Sequence, residues 1–228
     1  MTLTKQLIAL TGLALAATCT VHAQTKGTWM ARVGVTTITP AVSSSCLSAP
    51  DYNDGPGGCT RADVSSNTQL SGGITYMYTD HISVDVPLAL PFKHKIIGAG
   101  SLTGAGDMAE VKALPATIFL QYRFMEPTAK VRPYVGLGAT YAYFFDETGS
   151  GKLTATTNPG GPATSMTVDS SWGVTAQLGA TFSLNDKWFI DLHYSKSKLS
   201  TTTHFSTGQH LDLALDPATL GIDIGYKF

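Results

Sequence analysis

The sequence is poor in charge. Asp, Glu, Lys and Arg make up 14% of its 228 residues, against roughly 25% in a soluble domain. Fifteen Lys and Arg meet 16 Asp and Glu, so no basic surplus points to nucleic acid, and none is expected as a partner. Long apolar runs are missing too. Beyond the first twenty-odd positions nothing approaches the ~18 consecutive apolar residues of a membrane helix, although mean hydropathy is slightly positive at +0.08. Nucleotide chemistry has no foothold. HKIIGAGSLTGAG spaces Gly98, Gly100 and Gly104 out of step with G-x-G-x-x-G and lacks a surrounding βαβ unit, so it reads as a mobile extracellular loop. His94, His204 and His210 show no metal-ligand spacing. No cofactor and no metal are expected, and any transport would be passive.

What the sequence has instead is alternation. In the closing LGIDIGYKF, Leu220, Ile222, Ile224, Tyr226 and Phe228 share one face of a strand, while Gly221, Asp223, Gly225 and Lys227 share the other. Seven earlier segments repeat the rhythm: WMARVGVTT, QLSGGITYMYT, ISVDVPLAL, LPATIFLQYRF, YVGLGATYAYFF, SWGVTAQLGATF and WFIDLHYS. Their connections alternate between short turns, such as Asp80-His81 and Asn185-Asp186-Lys187, and longer stretches rich in Gly, Ser, Thr, Asn and Pro. Short turns at one end and long loops at the other mark an outer-membrane barrel with both termini periplasmic. An even strand count leaves no open edge. The expected fold is therefore all-β, an eight-stranded antiparallel transmembrane β-barrel.

A soluble barrel with its apolar face inside would show the same period. Three features oppose it. The second face is rich in Gly, Ser and Thr with isolated charges, as a filled lumen is. Charge is too sparse to solvate an exterior. Aromatic residues gather near strand ends (Trp29, Tyr76, Phe124, Tyr143, Trp188), where interfacial girdles form.

The N-terminus reads as a secretory signal over residues 1–23, with Lys5, an apolar stretch from Leu7 to Ala17, and Val21-His22-Ala23 before the cut. Residues 24–228 would form the barrel, with 14 basic against 16 acidic residues once Lys5 is gone. Of three cysteines, Cys46 and Cys59 remain in the mature chain, 13 positions apart in a Gly-, Pro- and Ser-rich loop. In an exported protein they read as a disulfide, worth about 3 kcal/mol in the entropy model; free thiols are the alternative.

PFKHKI at 91–96, LPATIFLQYRF at 114–124, RPYVGLGATYAYFF at 132–145, DSSWG at 169–173 and LGIDIGYKF together resemble the OmpW family, which includes the AlkL proteins of hydrocarbon-degrading bacteria. The likeness runs from Trp29 to Phe228. It implies an outer-membrane barrel that admits small hydrophobic molecules passively. Implied partners are outer-membrane lipid and lipopolysaccharide, the solutes themselves, and barrel-assembly machinery reading the strand that ends at Phe228. The cysteine pair departs from the family's general pattern and leaves the shape of the mouth open.

Eight strands enclose a lumen that side chains can fill. The alternation points Met30, Arg32, Asp85, Phe119, Gln121, Arg123, Thr175, Gln177, Phe189, Asp191, His193, Asp223 and Lys227 inward. Opposite charges there should pair, which disfavours a wide aqueous pore. Met30, Arg32, Phe119, Arg123, Phe189, Asp191 and His193 are the residues along which translocation would run. A hydrophobic solute would enter an apolar pocket among the loops and leave sideways through the wall. That needs strands that do not pair fully. Proline lacks the ladder N–H, so Pro87 and Pro91 mark the expected opening, unless they and Pro115 only bulge strands at the rim. Asp191, His193 and Ser195 share a face, but residues two apart in a strand lie nearly 7 Å apart at Cα, too far for a hydrolase relay; no enzyme activity is expected. The rival function is a non-transporting structural, stress-related or surface-recognition barrel acting through its loops.

Overall fold

A computed structural model describes residues 24–53 and 58–228; the expected signal segment, 1–23, lies outside the described residues. Eight strands close a barrel: β1 (Trp29–Thr39), β4 (Asn67–Met77), β5 (Ile82–Ala89), β7 (Asp107–Arg123), β8 (Val131–Gly149), β10 (Ser171–Ser183), β11 (Trp188–Lys198) and β14 (Ala218–Lys227). Going round the wall the order is β7, β5, β4, β1, β14, β11, β10, β8 and back to β7. All neighbours are antiparallel. The first and last strands pair from Met30↔Lys227 to Thr39↔Ala218, and the Phe228 N–H donates to the Trp29 carbonyl at 2.8 Å. Each of the eight strands thus has a paired neighbour on both sides, as the even count requires.

The alternation lies as the sequence predicts. Val33, Val35, Leu70, Ile74, Leu120, Leu137, Leu178, Ile222 and Ile224 are exposed on the outer surface, where lipid rather than water is the solvent. Aromatic pairs bound this band. Trp29–Tyr76 (4.8 Å between centroids) and Trp188–Tyr226 (5.1 Å) sit at the short-turn end; Tyr141–Trp172 (4.9 Å) and Tyr143–Phe145 (5.4 Å) sit at the other.

The long connections are not the open loops that their composition suggests. The segment containing Gly98 and Gly100, read from sequence as a mobile loop, is a strand, β6 (Phe92–Gly100). It pairs with the upper part of β7 on one side and with β3 (Thr60–Val64) on the other. A second sheet of four short strands, β2 (Ser43–Ser44), β13 (His210–Ala214), β12 (Ser200–Phe205) and β9 (Met166–Val168), stands over the far wall. One helix, α1 (Gly151–Thr157), begins at Ser150, whose Oγ accepts the Leu153 N–H. The barrel therefore extends outward as a collar. Its outer face carries the ion pairs Lys93–Glu110, Lys95–Asp107 and Lys112–Asp146, which places it above the apolar band.

Cys46 and Cys59 are disulfide-bonded, with Cα atoms 5.4 Å apart. Leu47 beside the bond is buried in the collar's apolar cluster.

Candidate functional site

The interior has three levels. At the top the collar encloses an apolar chamber of about 110 Å³. Leu211, Leu213 and Leu215 come from β13 and the residue chain after it, Leu199 from the bend between β11 and β12, Met166 and Val168 from β9, and Ala109 and Val111 from β7. In each strand, alternate side chains turn inward, so even short segments such as HLDLALD present a row of leucines to one side. His94 is the buried imidazole of this wall. Its Nδ1–H donates to the Ser65 carbonyl at 2.7 Å. Burial pushes its pKa below the usual histidine value despite that bond, which favours the uncharged imidazole.

Below lies a second chamber of about 90 Å³. Ile38, Pro115, Leu199 and Pro217 line both and form the neck between them. Hydroxyl groups cross its wall in a chain: Thr117–Thr140 (2.8 Å), Thr140–Thr175 (2.6 Å) and Thr175–Ser197 (2.8 Å), with Thr36–Ser71 (2.7 Å) opposite.

The floor is a polar plug. Arg32 grips Asp85 bidentately, Nη1 to Oδ1 at 2.5 Å and Nη2 to Oδ2 at 2.9 Å, and lies 3.2 Å from Asp223 through Nε. Thr75 donates to Asp85 at 2.6 Å. Asp191 accepts from Tyr134 Oη at 2.8 Å and Thr181 Oγ1 at 3.0 Å. Arg123 donates to Ser83, Gln24, Gln121 and Thr181, with its guanidinium 4.7 Å over the Tyr134 ring. Gln121 donates to Gln177 at 2.8 Å. Beneath, Met30, Met77 and Phe189 pack together. The Phe189 ring lies over Gly225, where any Cβ would collide with it. At the lowest rim Lys227 reaches Ser183 at 3.2 Å. Among the described residues, these buried side chains fill the bore at this level.

The inward set read from sequence therefore falls in two places. Arg32, Asp85, Gln121, Arg123, Asp191, Asp223, Lys227, Met30 and Phe189 build the plug and its underside, while Phe119, Thr175, Gln177 and His193 line the lower chamber. Tyr134, Thr75, Ser83 and Gln24 join the plug without having been picked out. Parity with outward Val135 marks Tyr134 as inward; no pattern marks Gln24. The side chains of Asp191 and His193 lean together, but His193 Nδ1 stays 3.5 Å from Asp191 Oδ2, longer than a hydrogen bond.

One stretch of wall is incomplete. Strands β5 and β7 pair from Ile82↔Tyr122 to Asp85↔Phe119, and pairing resumes only at Phe92↔Ala113, now through β6. Between them residues 86–91 and 114–118 share no ladder pair. This stretch contains Pro87, Pro91 and Pro115, and proline offers no N–H for a ladder. β5 remains paired to β4 up to Ser71↔Ala89, and β7 to β8 throughout this region, Pro115 opposite Ala142. Pro87, Leu88 and Ala89 line the lower chamber, while Leu88 is also 54% exposed on the lipid side.

The OmpW family model matches residues 25–228. Outer membrane protein W of Vibrio cholerae serotype O1 is 36% identical over 220 residues, covering 95% of each chain. Dibenzothiophene metabolism operon protein PahQ of Pseudomonas aeruginosa is 27% identical over 206 residues, covering 88% of each. The crystal structure of outer membrane protein OprG from Pseudomonas aeruginosa superposes with a TM-score of 0.78 at 31% identity, covering 90% of this chain and 97% of that one. A closed eight-stranded barrel, the family model across it and a relative above 30% identity along nearly the whole chain make this protein a member of the OmpW family of the bacterial outer membrane.

Proposed function

We propose that this barrel is a passive conduit for small hydrophobic molecules, with entry from above and exit through the side wall. The observation that carries the reading is the unpaired stretch between Asp85↔Phe119 and Phe92↔Ala113, which opens the lower chamber toward lipid at Leu88. An apolar solute gains by leaving water for the collar chamber, at roughly 25 cal/mol per Å² of buried apolar surface. It passes the neck at Leu199 and Pro217. The plug stops descent, because an apolar solute offers nothing to the buried ions of Arg32 and Asp85. Exit between Pro87 and Pro115 breaks no ladder bond and delivers the solute to the bilayer. The name of PahQ, from a dibenzothiophene metabolism operon, agrees with an apolar aromatic cargo.

In this reading the protein is not an enzyme, residues 1–23 are a cleaved leader, and the collar's outward lysines meet lipopolysaccharide. Its last strand, ending at Phe228, is what the assembly machinery reads.

The test compares uptake of a medium-chain hydrocarbon derivative and of a small sugar by cells with and without the folded barrel. Faster entry of the apolar solute alone supports the conduit. No change in either moves the function to surface recognition by the collar, a role the filled plug would equally serve.

A further inference from the structure

Asp191, His193 and Asp223 meet at the top of the plug. One ligand atom from each lies within 4.8 Å of the others, and the side chains are at most 9% exposed. His193 Nδ1 stands 3.5 Å from Asp191 Oδ2 and 3.5 Å from Asp223 Oδ2. Among the described residues His193 Nδ1 has no hydrogen-bond partner, and Asp223 meets only Arg32, whose Nε lies 3.2 Å from its Oδ2. We propose that these three residues form an internal binding site for a divalent first-row transition-metal ion of the zinc class.

Distance and charge point the same way. A hydrogen bond from imidazole to carboxylate spans about 2.7–3.2 Å, shorter than either separation. Two ligands of one tetrahedral ion, each about 2.0–2.2 Å from the metal, lie roughly 3.3–3.6 Å apart, which both His193 separations match; the three atoms together spread to 4.8 Å, so one carboxylate must swing inward on binding. The groups in direct contact are three carboxylates (Asp85, Asp191, Asp223), one guanidinium (Arg32) and the imidazole. With neutral His193 they sum to two negative charges, which a divalent ion cancels. Arg123 bonds only to neutral groups, Ser83, Gln24, Gln121 and Thr181, but its buried charge also acts on Asp191 and Asp85, so the plug as a whole keeps one excess negative charge.

The surroundings suit a metal ligand set. Tyr134 and Thr181 hold Asp191 by its two oxygens, the outer-shell support that orients a ligating carboxylate. The His193 ring lies against Gly221, a position where a Cβ would displace it. His193 borders the hydroxyl-lined lower chamber, which leaves the fourth coordination position to water from that side. The ion would tie β11 to β14.

The test uses the whole barrel, folded in lipid, stripped by chelator and titrated with Co²⁺. His204→Ala and His210→Ala are present throughout, to remove the exposed ring pair. One equivalent should give the strong visible absorption of a four-coordinate ion, which Zn²⁺ should displace. His193→Gln and Asp223→Asn should each weaken binding by at least 100-fold, and Tyr134→Phe by about 10-fold. Heat-dependent gel mobility excludes unfolded variants. Should neither ligand variant fold, the unmutated triad decides: Zn²⁺ must raise its unfolding temperature. Absence of the band, a band unchanged in both variants, no thermal shift, or an NMR spectrum with both His193 ring nitrogens protonated under excess Zn²⁺ each overturns the site.

Discussion

Asp85 and Phe119 are the last ladder partners before the wall between β5 and β7 comes apart. Asp85 turns into the lumen to hold Arg32, and Phe119 lines the chamber above it. The gap thus begins at the height where the plug ends. On the proposed route, a solute that has descended as far as the ions allow would be level with the only unladdered stretch between β5 and β7 among the described residues.

Closing that gap should slow transport. Pro87→Thr together with Pro91→Val restores two N–H groups and should reduce apolar solute uptake several-fold, with heat-dependent mobility unchanged. Unaltered uptake in a folded double variant removes the lateral route while leaving a conduit through some other path.

Narrowing the neck should act on size. Leu199 lines both chambers, and Leu199→Trp should exclude bulkier solutes first, lowering their entry about tenfold relative to the smallest tested. A uniform fall across sizes, or none, would place the constriction elsewhere.

Breaking the plug should cost stability. Asp85 has a fully buried side chain in a bidentate pair with Arg32, and removing one member of such a pair costs about 3–5 kcal/mol because the other charge stays buried. Asp85→Ala should lower the free energy of unfolding in urea by that order. A loss below about 1 kcal/mol would mean that Asp223, 3.2 Å from Arg32 Nε, holds the guanidinium without Asp85.

The disulfide loop should respond to acid. Partial burial raises the Asp51 carboxyl, but the Thr60 N–H, the Asn53 N–H and the Thr60 hydroxyl outweigh it and hold the pKa below the usual value. The folded loop therefore binds this proton more weakly than the unfolded loop. Its contribution is complete above the ordinary carboxylate pKa of about 3.9 and is lost as pH falls through the lower folded value. Amide exchange at Thr60 should accelerate over that window, and Asp51→Asn should abolish the dependence.

The barrel was legible because each wall strand is long enough to repeat period two several times; nine residues from Leu220 to Phe228 suffice. The collar was not. β2, β3, β9 and β13 have two to five residues each, too few for a period, and Gly98 and Gly100 inside β6 carry the composition of a loop. Leu211, Leu213 and Leu215 do alternate, but beside Asp and His they resemble a solvated segment until Leu47 and Ala142 are seen packed on them. The prolines were legible as missing donors, although the extent of the gap depends on β6 taking over from β5 against β7. The meeting of Asp191 with His193 and Asp223 was not legible, because it depends on side-chain lean and on the register between β11 and β14.

The filled bore carries a consequence for the cell. An open pore must be kept scarce, since every copy leaks nutrients, ions and water-soluble antibiotics. A barrel filled by Arg32, Asp85 and Arg123 should admit none of these along its axis, so a bacterium could pack its surface densely with this protein and keep its permeability barrier intact.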